Sequence, residues 1–144
     1  SENPPKEMVL MVQKEVAQRI CSQPPKMSIL AVSVQFYADP KIISYVSKKS
    51  FCPRPKVEAA IIKITPRDRP GLSKNKEGFF RVARAGFSQP RKQLINNLSK
   101  ELKTNKQKLA VLLAKINIKP SQRAETLSIN DWLNLCAELC AELS

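Results

Sequence analysis

Residues 66–76 constrain the fold of this chain more than any other stretch. Two prolines, one glycine and five charged side chains fall within those positions. Such a composition cannot bury enough apolar surface to join a core, so it predicts a linker at 67–77. The hydrophobic period differs on its two sides. Residues 1–66 mix strand-like and helix-like patterns, whereas residues 78–144 keep helical spacing throughout, and the expected fold class is an α/β part followed by a small all-α domain.

Ahead of the linker, Pro4 and Pro5 mark an irregular start, and Met8–Gln13 is a short valine-bearing apolar run with the character of a buried strand. Lys14–Ile20 places Val16, Ala17 and Ile20 on one helical face and ends before Pro24 and Pro25. Met27–Tyr37 has no decisive period and is read as a helix. Asp39-Pro40 predicts a break, followed by a strand in KIISYVSKK, a proline-stiffened loop in SFCPRPK and a second strand over Val57–Thr65. Beyond the linker, Phe80, Ala83 and Phe87 recur at helical spacing, with Arg81, Arg84 and Ser88 beside them leading to Arg91 and Lys92. Pro90 interrupts. Leu94, Ile95, Leu98 and Leu102 resume the helical face. Thr104 with Gln107 reads as a capping box before Leu109, Leu112, Leu113 and Ile116, in a helix that Pro120 stops. Ser128 with Asp131 opens a last helix that turns Trp132, Leu135, Cys136, Leu139, Cys140 and Leu143 inward.

Charge narrows the function. Lysine and arginine number 25 against 12 acids, and the surplus is confined to the middle: residues 81–123 hold eleven basic side chains and one acid, while residues 124–144 hold four acids and no base. A block of one sign suits a polyanion, because neutralised phosphates release their counterions; a solvated basic face or an acidic membrane surface is the plainer alternative. No apolar run approaches the roughly 18 residues of a membrane span, and the start lacks signal-peptide layout, so a soluble, cytoplasmic protein is expected. With no histidine and no Cys-x-x-Cys pair among Cys21, Cys52, Cys136 and Cys140, neither a usual zinc set nor a Ser-His or Cys-His nucleophile can be assembled. Cys136 and Cys140 stand one helical turn apart and are expected to be small buried apolar residues. Ser1 precedes the first methionine, Met8, which lies inside an apolar run; a piece of a longer chain is expected.

Four stretches in order carry a resemblance: MVLMVQKEVAQRI at Met8–Ile20, SFCPRPKVEAAIIKI at Ser50–Ile64, GFSQPRKQLINNL at Gly86–Leu98 and RAETLSINDWLNL at Arg123–Leu135. Together they resemble the KsgA-type small-subunit rRNA adenine dimethyltransferases and, more distantly, the Erm methyltransferases. The resemblance implies a carboxy-terminal part: the last strands and helix of a Rossmann-like methyltransferase sheet in residues 1–66, and a helical RNA-binding domain in residues 78–144. It implies that the intact enzyme uses S-adenosyl-L-methionine to dimethylate two adjacent adenines of small-subunit ribosomal RNA during ribosome maturation. The glycine-rich cofactor loop, the acidic residue for the ribose and the Asn-Leu-Pro-Tyr motif would all lie in an amino-terminal half. This chain alone is then expected to bind no cofactor and to be inactive. Its expected partners are the small ribosomal subunit and that other half, in a monomer. A non-catalytic RNA-binding or ribosome-assembly module is the rival reading.

The resemblance also assigns candidate residues. Phe51, in the Phe-x-Pro-x-Pro loop with Pro53 and Pro55, would stack on the flipped target adenine; a core phenylalanine plugging a hairpin end is the alternative. Lys48, Lys49, Arg54 and Lys56 flank that loop as possible phosphate contacts, or as a generic solvated cluster. Arg91 and Lys92 match a basic pair of the family's Gln-Arg-Arg-Lys-like segment, in which Pro90 replaces one arginine, and Arg81 and Arg84 join them as phosphate contacts or as solubilising surface. Lys14, Glu15 and Arg19 are also shared and are read as structural, with Glu15 and Arg19 as an ion pair four residues apart. Arg123 and Glu125 are read as ties to the last helix.

Overall fold

The computed structural model describes residues 6–67 and 72–143. It is a mixed α/β structure with a three-stranded antiparallel sheet and six α-helices among the described residues. The Pro4-Pro5 start lies outside them.

The first strand, β1 (Met8–Gln13), runs straight into α1 (Lys14–Ile20). Contrary to the expectation of a buried strand, β1 is mostly exposed: Val9 and Met11 keep 59% and 57% of their surface. Among the described residues the sheet order β1-β3-β2 makes β1 an edge, paired only with β3, and side-chain hydrophobicity by itself does not encode edge or centre. The undecided stretch at Met27–Tyr37 is helical, as α2 (Ile29–Tyr37). Ser28 supplies the start signal, its Oγ accepting from the Ala31 N–H at 3.1 Å. Ala31, Val32, Gln35 and Phe36 are the buried face, one helical turn apart in pairs.

Asp39-Pro40 does not break the chain. Both residues belong to β2 (Ala38–Val46), with Pro40 opposite Ile64 of β3 (Ala59–Pro66). β2 is the other edge of the sheet, the setting in which a proline costs no ladder bond. Asp39 is fixed by Arg67, its Oδ1 lying 3.3 Å from the guanidinium. The expected strand KIISYVSKK ends early at Val46, and Lys48–Ser50 form a 3-10 turn in which Ser47 Oγ accepts from the Lys49 N–H. Val57 and Glu58 likewise precede β3 rather than opening it.

Helix α3 (Leu72–Gly86) begins inside the stretch read as a linker. Then come α4 (Leu94–Leu102), α5 (Lys106–Lys115) and α6 (Ile129–Leu143). The cap of α5 is Asn105, whose Oδ1 accepts from the Gln107 N–H at 2.7 Å; Thr104 instead turns its hydroxyl to the Leu102 carbonyl. Asn117, left-handed at φ 61°, ends α5 well before Pro120. Ser128 and Asp131 form the expected reciprocal box: Asp131 N–H donates to Ser128 Oγ at 3.1 Å, and Ser128 N–H donates to Asp131 Oδ2 at 3.0 Å.

The larger core gathers Phe79, Leu94, Leu98, Leu109, Leu113, Trp132, Leu135 and Leu139 from the four later helices, and Met27, Ala31, Val32 and Phe36 of the α2 region join it. Phe36 stacks on Phe79 with ring centroids 4.1 Å apart. A smaller core of Ala17, Ile20, Ala60 and Ile62 lies under the sheet, and Leu30 and Val34 of α2 pack on it. Thus α2 is the shared wall between sheet and helices. Its Gln35 amide donates to the carbonyls of Ile20 and Ser22, tying the end of α1 to that wall. Cys136 is buried as expected, 3.6 Å from the half-buried Cys140 sulfur, while Leu143 lies outside the described side chains.

Candidate nucleic-acid interface

The loop between β2 and β3 folds back over the end of β1. Phe51, Pro53, Pro55 and Val57 meet Met11, Val12 and Gln13 around an open, mainly apolar cleft of about 360 Å³. Phe51 is half-buried and absent from both cores, so it is a wall of this cleft rather than a hairpin plug. A second depression, of about 270 Å³, adjoins the first through Gln13, Val57 and Glu58 and brings in Lys14, Glu15, Lys48 and Lys56. Two of the four flanking cations therefore stand beside the aromatic cleft. Lys49 and Arg54 are exposed but line neither depression.

Lys14 anchors this corner. Its backbone N–H donates to Glu58 O at 2.9 Å, its Nζ lies 3.9 Å from Glu58 Oε2, and it sits 5.6 Å from the centre of the Tyr45 ring. The pair is about 44% exposed on each side, so it contributes little stability. Its effect is to hold the loop against the start of α1. The expected Glu15–Arg19 pair does not form among the described residues; Lys14 takes the ionic role with Glu58. Met11, Gln13 and Val57 were not legible as site residues. Their sequence signal was that of a strand, and only the fold-back of the loop assigns them to a cleft.

The second basic group belongs to the helices. Arg81 and Arg84, three residues apart on α3 and exposed, share a depression of about 210 Å³ with Glu101 and Leu102 of α4. Arg91 and Lys92 are exposed on the turn between α3 and α4. The buried Asn97 shapes that turn, its amide donating to Gly86 O at 2.8 Å and Gln89 O at 2.9 Å, which also accommodates Pro90. Among the described residues none of Lys48, Lys49, Arg54, Lys56, Arg81, Arg84, Arg91 and Lys92 is engaged in an ion pair. Unpaired cations such as Lys48 and Lys56 beside an apolar cleft with an aromatic wall can hold a phosphate backbone and a base together.

Comparison with known sequences decides the family. The sequence model for ribosomal RNA adenine dimethylase matches residues 1–140. The chain belongs to that family. The chain is 42% identical over 137 residues to ribosomal RNA small subunit methyltransferase A of Dehalococcoides mccartyi, covering 94% of this chain and 47% of that protein. In fold it is similar to a dimethyladenosine transferase from Plasmodium falciparum, at a TM-score of 0.79 and 24% identity, covering 95% of this chain and 58% of that one. It is also similar in fold to the 23S rRNA methyltransferase ErmE, at a TM-score of 0.72 and 19% identity, covering 94% and 55%. The chain spans about half the length of the curated relatives it matches. These matches support a KsgA-type rRNA adenine dimethyltransferase.

Family membership brings S-adenosylmethionine into question for this chain. The described residues do not fit it. A cofactor cradle needs glycines at a strand-to-helix turn, where backbone approaches ligand. Gly78 and Gly86 instead lie within α3 and press against Cys140 and against Trp132 and Leu94, so both serve helix packing.

Proposed function

We propose that this chain supplies RNA binding and the target-base loop of an S-adenosylmethionine-dependent rRNA adenine dimethyltransferase, one that dimethylates adjacent adenines of small-subunit ribosomal RNA in the cytoplasm. In this reading residues 1–66 complete the edge of a Rossmann-like methyltransferase domain, and residues 78–144 are a helical RNA-binding domain. The exposed apolar edge strand β1 supports the first assignment, as a strand left for pairing with the amino-terminal half. The cofactor would be held by that half, and this chain alone would be inactive. One observation carries the proposal: Phe51 lines an open apolar cleft, and Lys48 and Lys56 line the depression that adjoins it. An extruded adenine loses its stacking neighbours, and an aromatic ring restores roughly 1–3 kcal/mol. The lysines then take the flanking phosphates. Chemistry on the adenine amine becomes a matter of position, which the proline-bearing loop provides.

The test is Phe51→Ala in the full-length enzyme. Because the ring lies outside both cores, melting temperature should stay within about 2 °C, while single-turnover methylation falls about 10- to 100-fold. Phe51→Tyr and Phe51→Trp should retain most of the rate. Strong destabilisation by alanine, with tyrosine and tryptophan failing to fold, would make Phe51 a packing residue. If the full-length protein binds RNA with no methylation at all, the non-catalytic assembly module takes the place of this reading.

A further inference from the structure

Residues 100–119 hold six lysines and one acid, Glu101. Glu101 belongs to the depression it shares with Arg81 and Arg84. Three of the lysines, Lys100, Lys103 and Lys106, are exposed around the short connection from α4 to α5, and among the described residues no ion pair neutralises them. The connection is stiff. Ser99 Oγ donates to Thr104 O at 2.7 Å, the Thr104 N–H returns to Ser99 O at 3.2 Å, and Asn105 caps the next helix.

Two of these lysines sit where helix physics disfavours them. Lys103 closes α4 at φ 53° and ψ 46°, the left-handed conformation that glycine or asparagine adopts with least strain. The end of α5 keeps that preference, with Asn117 at φ 61°. Lys106 opens α5, whose first turn contains no acid, so its ammonium meets the positive end of the helix dipole. Glycine at 103 and glutamate at 106 would be equally soluble and would make better helices. Positions that break local rules are those held for another purpose.

We infer that Lys100, Lys103 and Lys106 form a second RNA contact, a rigid phosphate clamp at the α4–α5 corner. It extends the Arg81, Arg84, Arg91 and Lys92 group, whose depression reaches the neighbouring Glu101 and Leu102, and rests on the RNA-binding reading above. An ammonium is a point charge without the planar fork that reads base edges, so the clamp takes backbone phosphates irrespective of sequence. Its place on the α4–α5 corner widens the RNA footprint beyond the α3–α4 face.

The experiment pairs stability with affinity in the whole chain, using an RNA hairpin of roughly 16 base pairs as the probe. Lys103→Gly and Lys106→Glu should each raise the melting temperature by about 2–4 °C while weakening hairpin binding. The neutral triple variant Lys100→Gln, Lys103→Gly, Lys106→Gln should make the slope of log affinity against log salt shallower by roughly two. Unchanged affinity and slope, with Arg91→Ala and Lys92→Ala still weakening binding, would overturn the clamp and leave the RNA-binding reading intact. A melting temperature that falls in both single variants would also overturn it, because the residues would then be placed for stability. Wild-type protein showing no salt-dependent hairpin binding would remove the RNA-binding reading itself, and the clamp with it.

Discussion

Among single residues, the cysteines separate most clearly by environment. Cys52 is exposed on the cleft loop next to Phe51, whereas Cys136 is buried in the helical core. Burial first, and then the hydrogen bond and charge of Cys140, push the Cys136 thiol up to about 12 from the ordinary 9.0. A thiol held protonated and covered does not react, so brief treatment with iodoacetamide near neutral pH should modify Cys52 and spare Cys136. Peptide mass mapping reads this directly, and equal labelling of the two would contradict the packing of α6. The same thiol has a pH consequence. The unfolded chain releases its proton near the ordinary value and the folded chain only at about 12, so unfolded protein binds fewer protons over that window and stability declines as pH rises through it. Chemical denaturation across pH 9 to 12 should show a decline that is less steep in Cys136→Ala.

At the level of elements, α3 presents two glycines with opposite expectations. A Cβ on Gly86 would lie 2.5 Å from the ring of the fully buried Trp132 and 3.0 Å from Leu94, neither of which can give way. Overpacking of that kind costs about 1–3 kcal/mol and outweighs the small helix-propensity gain at a helix end. Gly86→Ala should therefore lower the melting temperature by several degrees. Gly78 lies mid-helix and meets only the half-buried Cys140 sulfur at 2.9 Å, so Gly78→Ala gains about 1 kcal/mol of propensity against a side chain able to shift. Thermal denaturation of the two variants should rank Gly78→Ala well above Gly86→Ala; the reverse order would contradict the packing of α3 on α6.

Most of the helices were legible in the sequence because their buried faces repeat locally: Leu94, Leu98 and Leu102 in α4, Leu109, Leu112 and Leu113 in α5, Trp132, Leu135 and Leu139 in α6. Features set by distant partners were not. Whether β1 is central or an edge depends on what pairs beside it, and Pro40 fits a strand only because β2 is an edge. Neighbouring cap residues compete, and only the turn geometry gives the role to Asn105 rather than Thr104. Of the candidate interface, the Phe51 loop was singled out through the family resemblance and the basic residues through their clustering. Their assembly with Met11 and Gln13 into one cleft could not, since it depends on the loop folding back onto β1.

For the whole molecule, the proposed function joins the confined positive charge and the open aromatic cleft in one partner, a polyanion that also offers a base. The chain spans about half the length of the curated relatives it matches, and the proposed reading assigns RNA contact to it and cofactor chemistry to the remainder. Isothermal titration of the isolated chain with S-adenosylmethionine should accordingly show no micromolar binding; a micromolar dissociation constant would place a cofactor site within these residues. RNA binding itself is tested most directly by its salt dependence on a small-subunit rRNA fragment. Wild-type protein should be compared with a variant carrying alanine at Arg81, Arg84, Arg91 and Lys92, with helix content verified by circular dichroism. Binding by the variant should be weaker across sequences, and its slope of log affinity against log salt shallower by roughly 0.7–0.9 for each phosphate no longer neutralised. An unchanged slope with the fold intact would contradict RNA binding by this face and leave these cations as solvated surface.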